Sequence, residues 1–172
     1  MRITVCGTHR VGKSTLVEAL GARLPGYRVV DEAYKLLEEE GFEFSDPPTL
    51  GDYEELCRAA IDTAHELPDD AIVDRCPLDY VAYLLALDPD YDLDRIRDSI
   101  DNSMACFDLV VVVRIDPAIA ISASEDLALR SAVDEQIERL VLDNVLDLEL
   151  HAVEVSGSVD ARVEHVLAAM PR

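Results

Sequence analysis

Short apolar runs alternate with amphipathic segments along the whole chain, and this alternation predicts the secondary structure. Residues 3–6, 71–73 and 109–115 are apolar runs of strand length. Apart from Arg114, the run over residues 109–115 is continuously apolar, which is typical of a parallel strand buried on both faces. Two shorter runs, residues 28–31 and 152–155, predict two further strands.

Helices are predicted between these strands. The predicted helical segments cover residues 11–24, about 32–40, 52–67, 77–87, 92–104, 125–148 and 159–169. Residues 41–50 are rich in Gly, Pro and Asp, so they predict a loop. Five strands separated by helices imply an α/β protein with a parallel sheet covered on both faces. No linker is long enough to divide the chain, so we expect one domain over residues 1–172.

The first strand leads into a glycine-rich turn that fits the phosphate-loop pattern G-x-x-x-x-G-K-[ST] at every fixed position. The matching residues are Gly7-Thr8-His9-Arg10-Val11-Gly12-Lys13-Ser14. In such a loop, backbone N–H groups surround the phosphates, and the following helix adds a favourable dipole. We therefore expect Lys13 at the β- and γ-phosphates, Ser14 at Mg²⁺ and Thr15 at the start of the helix. The alternative is a strand–turn–helix that binds nothing, in which His9 and Arg10 are merely solvated.

Acidic residues follow the second predicted strand. Because ligands bind at the carboxyl ends of parallel strands, Asp31 and Glu32 are candidates for the base that accepts a proton from an attacking hydroxyl. The alternative interpretation is a helix N-cap followed by a first-turn acid. The residues alone leave both interpretations open.

Asp74 and Arg75 follow the third predicted strand. An aspartate in this position helps to hold Mg²⁺ through water in many phosphate-loop proteins, and an arginine there can bind substrate or phosphate oxygens. The alternative is a simple ion pair at the end of a strand. For Asp79, three residues into the next helix, we favour a structural role at the helix N-terminus.

An arginine that closes over the γ-phosphate would complete such a site. Arg130 is the best placed candidate, at the end of a lid region predicted over residues 116–131. Arg114 and Arg139 are less well placed. The alternative is that Arg130 is an ordinary surface arginine.

Composition restricts the partners and the location. The formal net charge of −21 would repel a polynucleotide, so we expect no nucleic acid partner. No apolar run approaches the length of about 20 residues that a membrane span needs, and the chain begins without the features of a signal peptide. We therefore expect a cytoplasmic protein without a membrane partner, whose oligomeric state the sequence leaves open.

On these residues the chain resembles the P-loop kinases of small molecules. More narrowly, it is similar to the AAA-domain proteins related to the nicotinamide-ribonucleoside kinase domain and to deoxynucleoside kinases. The resemblance is carried by residues 7–14, 29–35, 73–84, 130 and 155–158. It implies a three-layer P-loop fold with strand order 2-3-1-4-5. It also implies Glu32 as base, Arg75 on the substrate side, Arg130 in the lid, and Gly157 and Ser158 beside the adenine.

The leading hypothesis is a kinase that uses ATP and Mg²⁺ to phosphorylate a nucleoside, a nucleotide or a similar metabolite. The acceptor would bind in a pocket formed by residues from about 34 to 58. A nucleotide-dependent regulatory ATPase that acts on a protein partner is the alternative. A kinase of nucleic acid ends is a third possibility, and the charge weighs against it.

Overall fold

The computed structural model describes residues 1–116 and 126–170, and its five strands form one parallel sheet. The strands are β1 (Arg2–Cys6), β2 (Arg28–Val30), β3 (Ala71–Asp74), β4 (Leu109–Val113) and β5 (Ala152–Val155). Their order in the sheet is β2-β3-β1-β4-β5, which confirms the predicted order. The single domain over residues 1–172 stays a prediction.

The register of the strands brings the candidate residues to one edge of the sheet. Val5 lies opposite Asp74, and Val30 lies opposite Val73. Strands β1, β2 and β3 therefore end at nearly the same level, and the segments that leave them start side by side. This edge is where ligands bind in open parallel sheets.

Helices cover both faces of the sheet. Helices α1 (Lys13–Arg23) and α7 (Val159–Ala169) pack together on one face. The other face is covered by α2 (Ala33–Glu39), α3 (Leu50–His65), α4 (Pro77–Leu87), α5 (Arg97–Met104) and α6 (Leu127–Ile137). This arrangement is the expected three-layer P-loop fold. In the described part of the chain, no helix is long and apolar enough to cross a membrane.

Strand β4 contributes side chains to the cores on both faces of the sheet. All five of its side chains are buried. Leu109, Val111 and Val113 belong to the core beneath α1 and α7. Val110 and Val112 belong to the opposite core. Because each buried valine or leucine contributes about 1.5–3 kcal/mol, this strand anchors the sheet on which the site is built.

Many element boundaries differ from the prediction by one or two residues, and three differences have a structural meaning. Helix α1 begins at Lys13 rather than at residue 11, because Gly12 before it has a left-handed backbone (φ 90°). The helix predicted over residues 92–104 consists of a 3₁₀ turn (Leu93–Arg95) followed by α5. The strand predicted to reach residue 115 ends at Val113.

The long helix predicted over residues 125–148 is also shorter. Helix α6 begins at Leu127, where the side chain of the N-cap Asp126 accepts the N–H of Leu129. Residue 125 lies outside the described residues. It changes at Ile137 into a π-helical turn (Glu138–Leu142). Asn144 then adopts a left-handed backbone (φ 49°), and its side-chain amide hydrogen-bonds both the N–H and the C=O of Leu148. This local bonding ends the helix, as asparagine commonly does.

Candidate active site

The loop between β1 and α1 has the geometry that its two glycines predict. A Cβ atom at Gly7 would collide with the backbone carbonyl of Val113 on the neighbouring strand. Gly12 has a φ of 90°, a backbone conformation that residues with a side chain rarely adopt. Arg10 also has a positive φ of 55°, Val11 is buried, and Thr15 lies exposed in the first turn of α1. The turn thus has the backbone geometry expected of a phosphate loop.

Lys13 lies folded against this loop. Its side chain is only 6% exposed, and Nζ donates a hydrogen bond of 2.8 Å to the carbonyl of Thr8. Burial, and after it the positive charge of Arg75, lowers the pKa of Lys13 from its ordinary 10.5 to about 8. An anion bound in the loop would favour the charged ammonium.

Ser14 and Asp74, the predicted metal ligands, lie together. The hydroxyl of Ser14 donates a hydrogen bond of 2.6 Å to Oδ2 of Asp74. The second carboxylate oxygen, Oδ1, is buried and has no hydrogen-bond partner among the described residues. A hydroxyl and a carboxylate are the kind of oxygen ligands that hard cations such as Mg²⁺ take.

The structure separates the two candidate bases. Glu32 points toward the loop, and its Oε2 forms an ion pair of 2.7 Å with Nε of Arg75. Asp31 points to the surface and pairs with Lys35 at 2.8 Å, where both side chains are more than half exposed. Glu32 therefore lies in the site, and Asp31 lies outside it.

Arg75 connects several parts of the site. Its backbone is left-handed (φ 73°), an uncommon state for arginine that is found most often at functional sites. Its Nη1 donates to the carbonyl of Gly7 at 3.3 Å. The guanidinium carbon lies 5.7 Å from the ring centre of Tyr83 and 6.0 Å from that of Tyr80. The side chain is therefore fixed between the loop carbonyl, two carboxylates and two tyrosine rings.

Asp79 has a larger role than the sequence predicted. The expected structural role is confirmed, because its carboxylate accepts the N–H of Cys76 at 2.9 Å and so caps α4. The same carboxylate also accepts the N–H of Gly7 at 2.9 Å. It is fully buried, and this burial raises its pKa. Asp79 thus ties the phosphate loop to α4, a contact that only the three-dimensional structure reveals.

Arg130 reaches the loop from α6. Its side chain is 4% exposed, and Nε donates to the carbonyl of His9 at 3.2 Å. His9 in turn shares a hydrogen bond of 3.1 Å with the hydroxyl of Tyr83. Arg130 is therefore not a surface arginine. Residues 117–125 of the predicted lid lie outside the described residues.

Gly157 and Ser158 lie between β5 and α7. The Ser158 hydroxyl accepts the N–H of Ala161 and caps α7. The carbonyl of Gly157 accepts a hydrogen bond of 3.0 Å from Nε of Arg162, whose Nη1 reaches the carbonyl of Val11 at 2.9 Å. Sequence reasoning missed Arg162, since no local pattern distinguishes it from any other helical arginine.

A cavity of about 160 Å³ opens beside Glu32 and Arg75. Its remaining lining is mostly aromatic and consists of Tyr34, Pro48, Tyr53, Leu56, Tyr80 and Tyr83. The rings of Tyr53 and Tyr83 stack with their centres 4.6 Å apart. The cavity is lined by residues from the predicted pocket region, 34–58, and by residues of α4. A larger cavity of about 640 Å³ lies between α3 and residues 88–99. Part of its lining, Leu50, Glu54, Cys57 and Arg58, also belongs to the predicted pocket region, but it includes none of the predicted catalytic, nucleotide-binding or metal-binding residues.

Residues 2–162 match the model of a protein family described as an AAA domain. The chain belongs to this AAA domain family. No curated protein matches the chain at a significant level.

Solved structures of several kinases share the fold of this AAA domain protein. The deoxyadenosine kinase from M. mycoides with bound dATP has a TM-score of 0.63 and 21% identity, and 98% of each chain is covered. The NadR protein in complex with NR has a TM-score of 0.68 and 19% identity, covering 98% of this chain and 49% of NadR. The thymidylate kinase from Ehrlichia chaffeensis has a TM-score of 0.67 and 14% identity, and the match covers 98% of this chain and 96% of the kinase. The resemblance to P-loop kinases is thus confirmed for family and fold.

Proposed function

We propose that the protein is a kinase that transfers the γ-phosphate of ATP, with Mg²⁺, to a hydroxyl group of a small molecule. The observation that carries this proposal is the meeting of Lys13, Glu32 and the Ser14–Asp74 pair around one loop, beside a cavity. Similar proteins support it, since the solved structures that share the fold include a deoxyadenosine kinase with bound dATP and the NadR protein in complex with NR.

The loop over residues 7–15 would bind the phosphates of ATP. Its N–H groups and the N-terminus of α1 supply partial positive charge without the flexibility of long side chains. Lys13 would exchange its bond to the Thr8 carbonyl for the β- and γ-phosphate oxygens. The adenine would lie beside Gly157 and Ser158.

Ser14 and Asp74 would hold Mg²⁺. The fit rests on Oδ1 of Asp74, which is buried without a donor among the described residues. A buried carboxylate oxygen without a donor is costly, and a water molecule on a cation held here would supply the missing donor. When bound, Mg²⁺ offsets the negative charge that moves with the phosphoryl group.

Glu32 would accept the proton of the attacking hydroxyl. In the ion pair, Arg75 binds Oε2 of Glu32, so we assign Oε1 as the atom that accepts the proton of the hydroxyl. Arg75 pairs with this carboxylate, and both residues line the cavity. The base would then lie between an acceptor in the cavity and the loop. Positioning of this kind is the main source of rate in phosphoryl transfer.

The lining of the cavity favours an acceptor without a phosphate or carboxylate group. Among the residues that the structure describes, Arg75 is the only cation in the lining, and its guanidinium is already paired with Glu32 and with Asp79. An anionic acceptor would therefore lack a free cation here, and the tyrosines favour a flat ring. A nucleoside or another ring-bearing hydroxyl compound fits better than a nucleotide.

A screen of acceptors tests the proposal. ADP release is measured with nucleosides and pyridine ribosides, with the corresponding monophosphates, and without an acceptor, using Lys13→Ala as the inactive control. We expect release that depends on a nucleoside-type acceptor. Slow hydrolysis that no small acceptor changes would instead support the regulatory ATPase.

The base assignment is tested by a matched pair of variants. Glu32→Gln should lower kcat by about 100-fold or more, because it cannot take the proton. Asp31→Asn, which changes the neighbouring exposed carboxylate, should leave kcat within about twofold, as surface changes usually do. Equal effects of the two variants would reject Glu32 as the base.

Arg130 is tested in the same way. Arg130→Ala should lower kcat by about 1,000-fold with little change in ATP affinity, because an arginine at the phosphates acts mainly on the transition state. Arg139→Ala removes an exposed arginine that follows α6 and serves as the control. An unchanged kcat for Arg130→Ala would remove this residue from the mechanism.

A further inference from the structure

We infer that Arg162 is a positioning residue that aligns the phosphate loop and couples it to the segment beside the adenine. This inference rests on the proposed binding of ATP. Arg162 belongs to α7, on the opposite side of the loop from the acceptor cavity, and it is 5% exposed. A buried arginine is costly unless its donors are satisfied, so its partners indicate its role.

The carbonyls of the loop are held by four cationic side chains, which we call the loop cations. Arg75 donates to the carbonyl of Gly7, Lys13 to that of Thr8, Arg130 to that of His9, and Arg162 to that of Val11. In a trans peptide the C=O and the following N–H point in opposite directions. Holding a carbonyl on one side of the loop therefore turns the next N–H toward the other side.

Arg162 controls one such peptide. Its Nη1 lies 2.9 Å from the Val11 carbonyl in a buried hydrogen bond, which fixes the N–H of Gly12 in the opposite direction. A Cβ atom on Gly12 would lie 3.2 Å from the same Nη1, so the arginine packs closely against a residue that has to be small. The arginine and the glycine thus fix the end of the loop where α1 begins.

The second bond of Arg162 sets it apart from the other loop cations. Nε donates to the carbonyl of Gly157 at 3.0 Å, and Gly157 has a left-handed backbone (φ 87°). One rigid guanidinium therefore connects the loop that would bind phosphates to the segment that would bind the base. Arginine suits this task, because its donors have a fixed planar arrangement.

The coupling has a measurable consequence for nucleotide selection. If the guanidinium is lost, the Gly12 amide and the Gly157 segment can move independently. Binding of the phosphates then weakens, and a bound triphosphate no longer places its base accurately against residues 157–158. Both ATP affinity and the preference for adenine over guanine should fall together.

The test compares Arg162→Met with Arg162→Lys. For Arg162→Met we expect the Kd for ATP to rise about tenfold or more, since two hydrogen bonds from a charged group are lost. The ratio of the Kd for GTP to that for ATP should move toward one, while kcat at saturating ATP changes less. Arg162→Lys keeps the charge and can reach one carbonyl, so it should recover part of the ATP affinity.

Arg23→Met is the matched control. It removes an exposed arginine of α1 that pairs with Glu164 of α7 at 2.8 Å, so it disturbs the same two helices without touching the loop. It should leave ATP affinity and base preference unchanged. If Arg162→Met does not fold, as circular dichroism would show, the comparison rests on Arg162→Lys, for which the same two quantities should shift in the same direction.

The outcomes separate this inference from the proposed function. A wild-type protein without affinity for ATP would overturn both. Wild-type protein that binds ATP selectively, together with Arg162 variants of equal affinity and equal base preference, would overturn the role of Arg162 alone. A loss of affinity in Arg23→Met as large as that in Arg162→Met would also overturn it, because general helix packing would then be the cause.

Discussion

Replacing Lys13 by methionine should stabilise the protein in the absence of nucleotide while removing its ATP binding. The folded state lowers the pKa of Lys13 from 10.5 to about 8, so below the lower value the folded state carries the full cost of a buried charge. That cost is about 3 kcal/mol at neutral pH. Methionine fits a buried position without this cost, but the hydrogen bond to the Thr8 carbonyl is lost, at about 1 kcal/mol. The expected net gain is about 2 kcal/mol.

The pH dependence distinguishes this explanation from general packing effects. As the pH rises from 8 toward 10.5, the folded protein releases the Lys13 proton before the unfolded chain does, so the cost decreases. Between about pH 7 and about pH 9.5, the free-energy cost of the buried Lys13 charge should fall by about 2 kcal/mol. The advantage of Lys13→Met over the wild type should therefore nearly vanish at the higher pH.

Urea unfolding of both proteins at the two pH values measures this difference. Lys35→Met is the control, because Lys35 is exposed and pairs only with Asp31 at the surface. It should change the free energy of unfolding by less than about 1 kcal/mol at either pH. A Lys13→Met protein that is less stable than the wild type by the same amount at both pH values would refute the reasoning.

Three further predictions concern contacts around the loop. Gly7→Ala should lower the free energy of unfolding by about 1–3 kcal/mol, because its Cβ collides with the Val113 carbonyl, as thermal unfolding would measure. Asp79→Ala should lower the free energy of unfolding, measured in urea, by about 3 kcal/mol or more. The variant leaves the buried N–H groups of Gly7 and Cys76 without an acceptor. Asp74→Asn should raise the Mg²⁺ concentration needed for half-maximal activity by about tenfold, because it weakens the hold on metal-bound water. A Mg²⁺ requirement equal to that of the wild type would exclude Asp74 from the metal site.

Much of the fold could be predicted because its signals are local. The apolar runs define the strands, and the glycines at positions 7 and 12 satisfy requirements of the backbone at those positions. The strand order came from the family resemblance, and the structure confirms it. The end of the long helix near Asn144 was missed, because apolar spacing continues past the residue whose side chain ends the helix.

The choice between Asp31 and Glu32 could not be made from the sequence. The two acids are neighbours, and what separates them is Arg75, which lies 43 residues farther along the chain and pairs with only one of them. Arg162 was hidden for a similar reason. Its partner Val11 is 151 residues away, and no spacing rule connects the two. Contacts between residues so far apart in the sequence depend on both the strand order and the packing of the helices, which no local pattern gives.

The loop cations also concentrate positive charge around one turn of the molecule. Four of the 15 lysines and arginines surround a single turn, while the formal net charge of the chain is −21. A nucleotide that diffuses toward the protein is therefore repelled at long range and attracted only at contact. Dissolved ions screen interactions beyond about 10 Å at 0.1 M, so they weaken the outer repulsion more than the inner attraction. The rate of ATP encounter should consequently increase with ionic strength, the reverse of the usual behaviour of proteins that capture anions.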